Sequence, residues 1–241
     1  MVTQRRTPTP QDSDNPRVGV VIVAAGASRR MMGLDKVFEP LLGKPLIAHT
    51  VSVFEECPEV REIVLVLSSD NLEQGRRLAA WEGWKKLKQV CPGGPRRQDS
   101  VKAGLQHISP CQWIMVHDGA RPCVTQELVQ RGLEQVQATG AAIPTIAVND
   151  TLKKVQLQGD LVLETLRREG LWAAQTPQVF RYKLLWEAYQ ENLDNVTDDA
   201  SLVERLGHQV KTFPGSSENI KITTQVDLHL AEVILKSRAD L

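Results

Sequence analysis

Residues 20–36 read Val-Val-Ile-Val-Ala-Ala-Gly-Ala-Ser-Arg-Arg-Met-Met-Gly-Leu-Asp-Lys, and they constrain the fold more than any other stretch of the chain. A run of β-branched residues without a polar break is the pattern of a strand buried on both faces, as in a parallel sheet covered by helices. The run ends in Ala24, Ala25 and Gly26, so the backbone leaving the strand is bare. A phosphate can approach such a backbone and accept hydrogen bonds from its N–H groups. Arg29, Arg30 and Lys36 then gather positive charge at the carboxyl end of the strand, where open α/β sheets bind ligands. The segment reads either as a nucleoside triphosphate loop or as an ordinary strand-to-helix turn with solvated arginines.

Two common phosphate loops are excluded by spacing. A P-loop requires G-x-x-x-x-G-K-[ST], and Lys36 is followed by Val37. A dinucleotide fingerprint requires G-x-G-x-x-G at the start of a helix, and Gly26 and Gly33 do not supply it. The pattern present is A-A-G-x-x-x-R-M followed by lysine, which resembles the signature loop of nucleotidyltransferases that join a nucleoside triphosphate to a phosphorylated metabolite.

Downstream, apolar strands alternate with amphipathic helices. Strands are expected at 18–25, 63–67, 87–91, 113–116 and 141–148, with helices at 45–54, 71–80, 98–108 and 125–139. Pro45 suits a helix start, and Thr125 with Glu127 suits a helix cap and first turn. The alternation implies a doubly wound, mostly parallel α/β sheet. After residue 149 the rhythm breaks. Residues 151–157 alternate apolar and polar, Gln158-Gly159-Asp160 is a turn signal, and residues 161–166 return as a second strand. A β-hairpin arm over about 149–170 is expected, and since a lone hairpin is marginal in water it requires a packing surface, for which a second copy of the chain is the natural candidate. Helices at 183–191, 198–206 and 226–236 and a strand at 210–213 complete the reading.

At 241 residues the chain fits one domain over 17–241, preceded by a polar, proline-containing extension over 1–16 that lacks the apolar core of a secretory signal and reads as disordered. Net charge is zero and the isoelectric point near 7.0, so no global field favours nucleic acid. No apolar run is long enough to span a bilayer. Cys57, Cys91, Cys111 and Cys123 form no C-x-x-C pair and read as free thiols of a reducing, cytoplasmic compartment.

Three further clusters can carry chemistry. Gly93-Gly94-Pro95-Arg96-Arg97-Gln98-Asp99-Ser100 sets two glycines, two arginines and a serine at a strand-to-helix junction, suited to a flat base or an anion. His117-Asp118-Gly119-Ala120-Arg121-Pro122 ends a buried strand with a carboxylate, which can serve as a metal or hydroxyl ligand or pair with Arg121. Asn219-Ile220-Lys221-Ile222-Thr223 puts a lone lysine in an apolar segment, either snorkelling to solvent or pointing into a site that wants positive charge.

Taken in order, A-A-G-x-x-x-R-M, K, G-G-x-x-R-x-x-S-V, H-D-G-A-R-P, D-T-L-K, G-L-W-x-x-Q-T-P-Q, T-D-D-A and N-I-K-I-T resemble the 2-C-methyl-D-erythritol 4-phosphate cytidylyltransferases of the non-mevalonate isoprenoid pathway over residues 18 to about 236. The resemblance implies that Arg30 and Lys36 stabilise the transition state. It implies that Ala24, Ala25 and Gly26, with Gly94 and Ser100, form the cytidine nucleotide pocket, with Gly119 near the ribose. It assigns Arg168 and Lys221 to the methylerythritol phosphate, and Asp118, Arg121, Thr151 and Thr176 to the surrounding substrate shell. It also implies Mg²⁺, on the triphosphate or on Asp118, and a homodimer whose arm reaches the partner's site. Pro95 departs from the family pattern, where an acidic residue is common, and removes one backbone donor beside the base. The nearest rival reading is a ribitol-5-phosphate cytidylyltransferase, disfavoured by Gly170-Leu171-Trp172. A catalytically inactive nucleotide-binding regulator would not need the full cationic set.

The implied chemistry suits these residues. A phosphate monoester is largely dianionic near neutrality, its second pKa being about 6, so the nucleophile needs no general base. Two anions must meet at the α-phosphate, and positioning with charge neutralisation therefore carries the reaction.

Overall fold

The computed structural model describes residues 18–26, 36–191 and 196–239. The expected catalytic Arg30 and the extension over 1–16 lie outside them. In chain order the elements are β1 (Val18–Ala24), β2 (Pro40–Leu41), β3 (Lys44–Pro45), α1 (Leu46–Glu56), β4 (Val60–Leu67), α2 (Leu72–Glu82), β5 (Leu87–Pro92), α3 (Arg97–His107), β6 (Trp113–Asp118), α4 (Gln126–Thr139) and β7 (Ala141–Ala147). They continue with β8 (Lys153–Val155), β9 (Val162–Thr165), β10 (Trp172–Ala174), β11 (Gln178–Arg181), α5 (Tyr182–Ala188), α6 (Asp199–Arg205), β12 (Lys211–Pro214) and α7 (Gln225–Ala239).

β1 lies at the centre of the main sheet, parallel to β4 on one side and β6 on the other, and β5 adds beyond β4. The strand's alternation decides which layer each residue joins. Val18, Val20 and Ile22 pack with Ile47, Val51 and Phe54 of α1 and with Val129 and Val136 of α4 on one face. Val21 and Val23 pack with Val101 and Leu105 of α3 and with side chains of α5 and α6 on the other. Every residue of β1 is buried, as its unbroken apolar run requires. α4 begins as expected, the Thr125 hydroxyl accepting the Leu128 N–H at 3.2 Å, and ends at Gly140 with φ +79°.

The far half of the sheet is mixed. β12 runs parallel to β7 along Ala142–Thr145 on one edge. β10 pairs antiparallel to Thr145–Ala147 and β11 to Ala141 and Ala142, each overlapping one end of the span that β12 occupies, so they share the other edge of β7 as two halves of one broken strand. β11 also pairs antiparallel with β6, which inserts it between the two halves of the parallel sheet. Neither half was expected from sequence: each is three or four residues long, too short to show a period. The sheet order is therefore β12, β7, the β10/β11 pair, β6, β1, β4, β5.

β8 and β9 form their own antiparallel ribbon, with Lys153 opposite Thr165 and a bulge before Val155 opposite Val162. This is the expected arm, and neither strand pairs with the main sheet. Of the apolar residues assigned to it, Leu157 is fully exposed and Val155 and Val162 are about half exposed, while Leu152 and Leu166 are partly covered. No helix among the described residues is long and apolar enough to cross a membrane.

Candidate active site

The strand order reverses at β1. The chain moves from β1 to β4 and β5 on one side, then returns to β6 on the other, and the crevice at such a switch point is where doubly wound sheets bind ligands. A cleft of about 170 Å³ opens there, lined by the carboxyl end of β1, the β5–α3 turn, Asp118 of β6, Lys36 and Lys221.

The floor is backbone. Ala24, Ala25 and Gly26 all line it, and a Cβ on Gly26 would meet nothing within 4 Å. Close approach to the next wall is sterically enforced. A Cβ at Gly93 would fall 2.4 Å from that of Ala25, and one at Gly94 would fall 2.4 Å from that of Asp99. Ser100, buried in the first turn of α3, accepts the Gly94 N–H at 3.2 Å and has the carbonyls of Gly94 and Arg96 at 3.4 and 3.3 Å for its own hydrogen. Arg96 is clipped to Asp99, its backbone N–H at 3.1 Å and its guanidinium at 2.8 and 2.9 Å, which closes a capping box at the head of α3. The turn bearing Gly94 is thus rigid, and Pro95 sits in it on the cleft surface.

Asp118 is the hub. Arg97 Nε donates to Oδ1 at 3.0 Å, Lys221 Nζ approaches Oδ2 at 2.9 Å, and Arg121 Nε stands 3.7 Å from the same oxygen. Burial alone would raise this carboxyl's pKa. Arg97, Lys221 and Arg121 outweigh it and hold the group well below the usual carboxylate range. Asp118 is ionised at any working pH, and its charge is spent on placing three cations.

A buried chain of hydrogen bonds fixes Asp118 from behind. Its N–H donates to the Thr176 hydroxyl at 3.1 Å, and that hydroxyl lies 3.0 Å from His117 Nδ1, while His117 Nε2 lies 3.3 Å from the Arg121 carbonyl. Complete burial lowers the His117 pKa to about 3, against the pull of Asp118, so the ring is neutral. One tautomer satisfies all three groups: Nε2–H donates to Arg121 and Nδ1 accepts from Thr176. Asn219 secures the opposite wall. Its side chain donates to the Thr176 carbonyl at 2.8 Å, its own carbonyl accepts Arg121 Nη1 at 2.6 Å, and the Ile222 N–H binds the Ala120 carbonyl at 2.8 Å. Lys221 lies between these two anchors.

Of the residues singled out from sequence, Ala24, Ala25, Gly26, Lys36, Gly94, Ser100, Asp118 and Lys221 converge on the cleft. Gly119, Arg121 and Thr176 lie behind its wall. Gly119 has no room for a side chain, since a Cβ would stand 2.8 Å from both Ala24 Cβ and Ile47 Cδ1. Thr151 and Arg168 are exposed on the arm and do not line the cleft of their own chain, where Arg168 donates to the Asn149 carbonyl. Arg97, His117 and Asn219 stand inside the sequence motifs without a role expected of them there. The signal available was their place inside clusters already marked as functional.

Among the described residues no group of three or more carboxylates, histidines or cysteines could cage a metal. Asp118 offers one carboxylate with both oxygens engaged. That donor set suits Mg²⁺ held chiefly by substrate phosphates, which takes one or two protein carboxylates at most. Cys57, Cys91 and Cys123 are buried and Cys111 half-buried, and burial pushes the Cys111 thiol up to about 12, so none is a nucleophile.

The family model described as 2-C-methyl-D-erythritol 4-phosphate cytidylyltransferase matches residues 18–237. A protein of that name from Dehalococcoides mccartyi (strain CBDB1) is 48% identical over 222 residues, covering 92% of this chain and 97% of its own. One from Alkaliphilus metalliredigens is 43% identical over 231 residues, covering 93% and 95%. The crystal structure of 4-diphosphocytidyl-2C-methyl-D-erythritol synthase from Anaerococcus prevotii superposes with a TM-score of 0.79 at 28% identity, over 92% of this chain and 96% of the other.

Proposed function

The chain belongs to the 2-C-methyl-D-erythritol 4-phosphate cytidylyltransferase family, and from that membership we propose how its own residues carry the reaction. The activity is transfer of CMP from CTP to 2-C-methyl-D-erythritol 4-phosphate. An oxygen of the sugar phosphate attacks the α-phosphorus, the bond to the β-phosphate breaks, and 4-diphosphocytidyl-2-C-methyl-D-erythritol and pyrophosphate are released. No proton need be removed from the attacking oxygen, because the monoester is already largely dianionic.

CTP lies with its base against Gly94 and Ser100 and its phosphates over Ala24, Ala25 and Gly26. Lys36, together with Arg30, meets the charge that develops on the α-phosphate and on departing pyrophosphate. Lys221, aimed by Asp118, neutralises the incoming phosphate. Mg²⁺ held by the triphosphate would supply further charge neutralisation. Thr176 and Arg121 act by positioning Asp118 and Lys221, and Gly119 by letting β6 close on β1. The chain works as a cytoplasmic homodimer of one domain per copy over 17–241, in which the arm covers the partner's cleft and brings Thr151 and Arg168 to the sugar phosphate. The observation that carries this reading is the convergence of Lys36 and the Asp118–Lys221 pair on a cleft floored by bare backbone.

The test is pyrophosphate release with CTP, Mg²⁺ and either methylerythritol phosphate or ribitol 5-phosphate. A kcat/KM at least tenfold higher for methylerythritol phosphate is expected. Equal or better turnover of the ribitol ester would overturn the substrate assignment.

A further inference from the structure

Asp199 is a carboxylate with no exposed surface, at the first turn of α6 and away from the cleft lining. A buried ion pair is weak grounds for stability, because desolvation offsets the attraction between its charges. Its partners suggest another use. Oδ1 accepts the Tyr189 hydroxyl at 2.6 Å, and Oδ2 stands 2.8 Å from Arg97 Nη1. The other end of the same guanidinium donates from Nε to Asp118 Oδ1 at 3.0 Å, and Arg97 itself lines the cleft.

A guanidinium is planar and its donors are fixed relative to one another. One Arg97 spanning two carboxylates therefore locks the distance between α6 and the end of β6. It also fixes how Asp118 divides its oxygens. Anchored at Nη1 on Asp199, the planar guanidinium is held in the orientation in which Nε donates to Asp118 Oδ1, and Oδ2 remains for Lys221 at 2.9 Å. Without that anchor it would be free to turn Nε and Nη2 together onto Asp118, the preferred bidentate geometry of arginine with a carboxylate, and would compete with Lys221.

We propose that Asp199 is a positioning residue for cytidylyl transfer: by holding one end of Arg97 it reserves Asp118 Oδ2 for Lys221. The proposal rests on the assignment of the Asp118 cleft as the active site. It requires that Asp199 act through Arg97 alone, with no contact to either substrate.

A double-mutant cycle on kcat/KM tests this. Asp199→Asn keeps the shape of the side chain and an acceptor for Tyr189 while removing the charge. It is expected to lower kcat/KM tenfold or more, and Arg97→Met to do likewise. In the Arg97→Met background Asp199→Asn should cost nothing further, because the link it acts through is gone. Losses that multiply would overturn the proposal. Arg97→Lys serves as a second variant that keeps a positive charge between the two carboxylates. Lysine is a single point charge and cannot span two sites, so this variant should lose as much as Arg97→Met, and near-normal activity in it would equally refute the bridge. Asp118→Asn distinguishes the two levels of argument. If it leaves turnover intact, the site itself is misassigned. If it abolishes turnover while Asp199→Asn stays within twofold of wild type, the site stands and the positioning role of Asp199 falls.

Discussion

Lys36 and His117 stand at opposite ends of what a single residue can do in this cleft. Lys36 lines it beside the bare backbone of β1. If it meets charge that develops only during transfer, Lys36→Ala should reduce kcat by about 10²–10³, in line with removal of one preorganised electrostatic donor, and weaken CTP binding far less. Single-turnover rates and nucleotide affinity, measured side by side, check this. His117 is fully buried, does not line the cleft and is expressed through pH. Its pKa is about 3 in the folded chain, against about 6.5 for an ordinary histidine. Between those values the unfolded chain binds a proton that the folded chain refuses, so stability is full above about pH 6.5 and declines as the pH falls. Asp118 does not blur that window, since the stabilisation that its depressed pKa represents is lost only as the pH falls below the unfolded carboxylate value of about 3.9. The urea midpoint should therefore drop between pH 7 and 4.5, and His117→Gln should remove part of the drop. An identical drop in the variant would mean that the ring is protonated in the native state.

At the scale of elements, α3 shows how a helix that carries a site must fit its sheet. Gly104 faces β1 and β4, and a Cβ there would stand 2.4 Å from Val21 Cγ1 and 3.0 Å from Val66 Cγ2. Two effects oppose each other in Gly104→Ala. Helix propensity favours alanine by about 1 kcal/mol. Overpacking against two buried, β-branched side chains that cannot rotate away costs about 1–3 kcal/mol. The clash should win, and equilibrium unfolding is expected to show net destabilisation. A gain in stability would mean that α3 rides higher on the sheet than its packing indicates. The strands around the site were unequally legible. β1 and β6 declare themselves by unbroken apolar runs. β10 and β11 do not, because three or four residues cannot establish a period and their antiparallel place between β6 and β7 depends on pairing partners distant in sequence.

For the whole molecule, the arm is the element that one copy leaves unexplained. Among the described residues its ribbon pairs with no other strand, and Leu157 and Leu161 in its turn and Leu163 within β9 stand exposed. Arms exchanged across a two-fold axis would cover this surface and carry Arg168 to the neighbouring cleft. Complementation decides the point. An Arg168→Ala chain mixed with a Lys36→Ala chain, each nearly inactive alone, should form heterodimers with one intact and one doubly defective site, recovering about half the wild-type activity per heterodimer if the sites act independently. Heterodimers that form without recovering activity would place each arm on its own subunit's site.

The sheet's parallel heart, the bare-backbone turn after β1, the arm and the clusters that contribute to the cleft are legible along the chain. These are local properties: a run of β-branched residues, a pair of glycines or a two-residue alternation has the same consequence wherever the chain goes next. Which charges meet is set by packing. Arg97, Asp118, Asp199 and Lys221 are spread over three helix or strand ends and a loop, and their pairing follows from the order of strands and the tilt of α3 and α6 on the sheet. The same holds for Thr176, which the family resemblance places in the substrate shell and whose hydroxyl the fold holds between Asp118 and His117. A buried polar group must find its partners among whatever the fold packs against it, and no spacing along the chain encodes that choice.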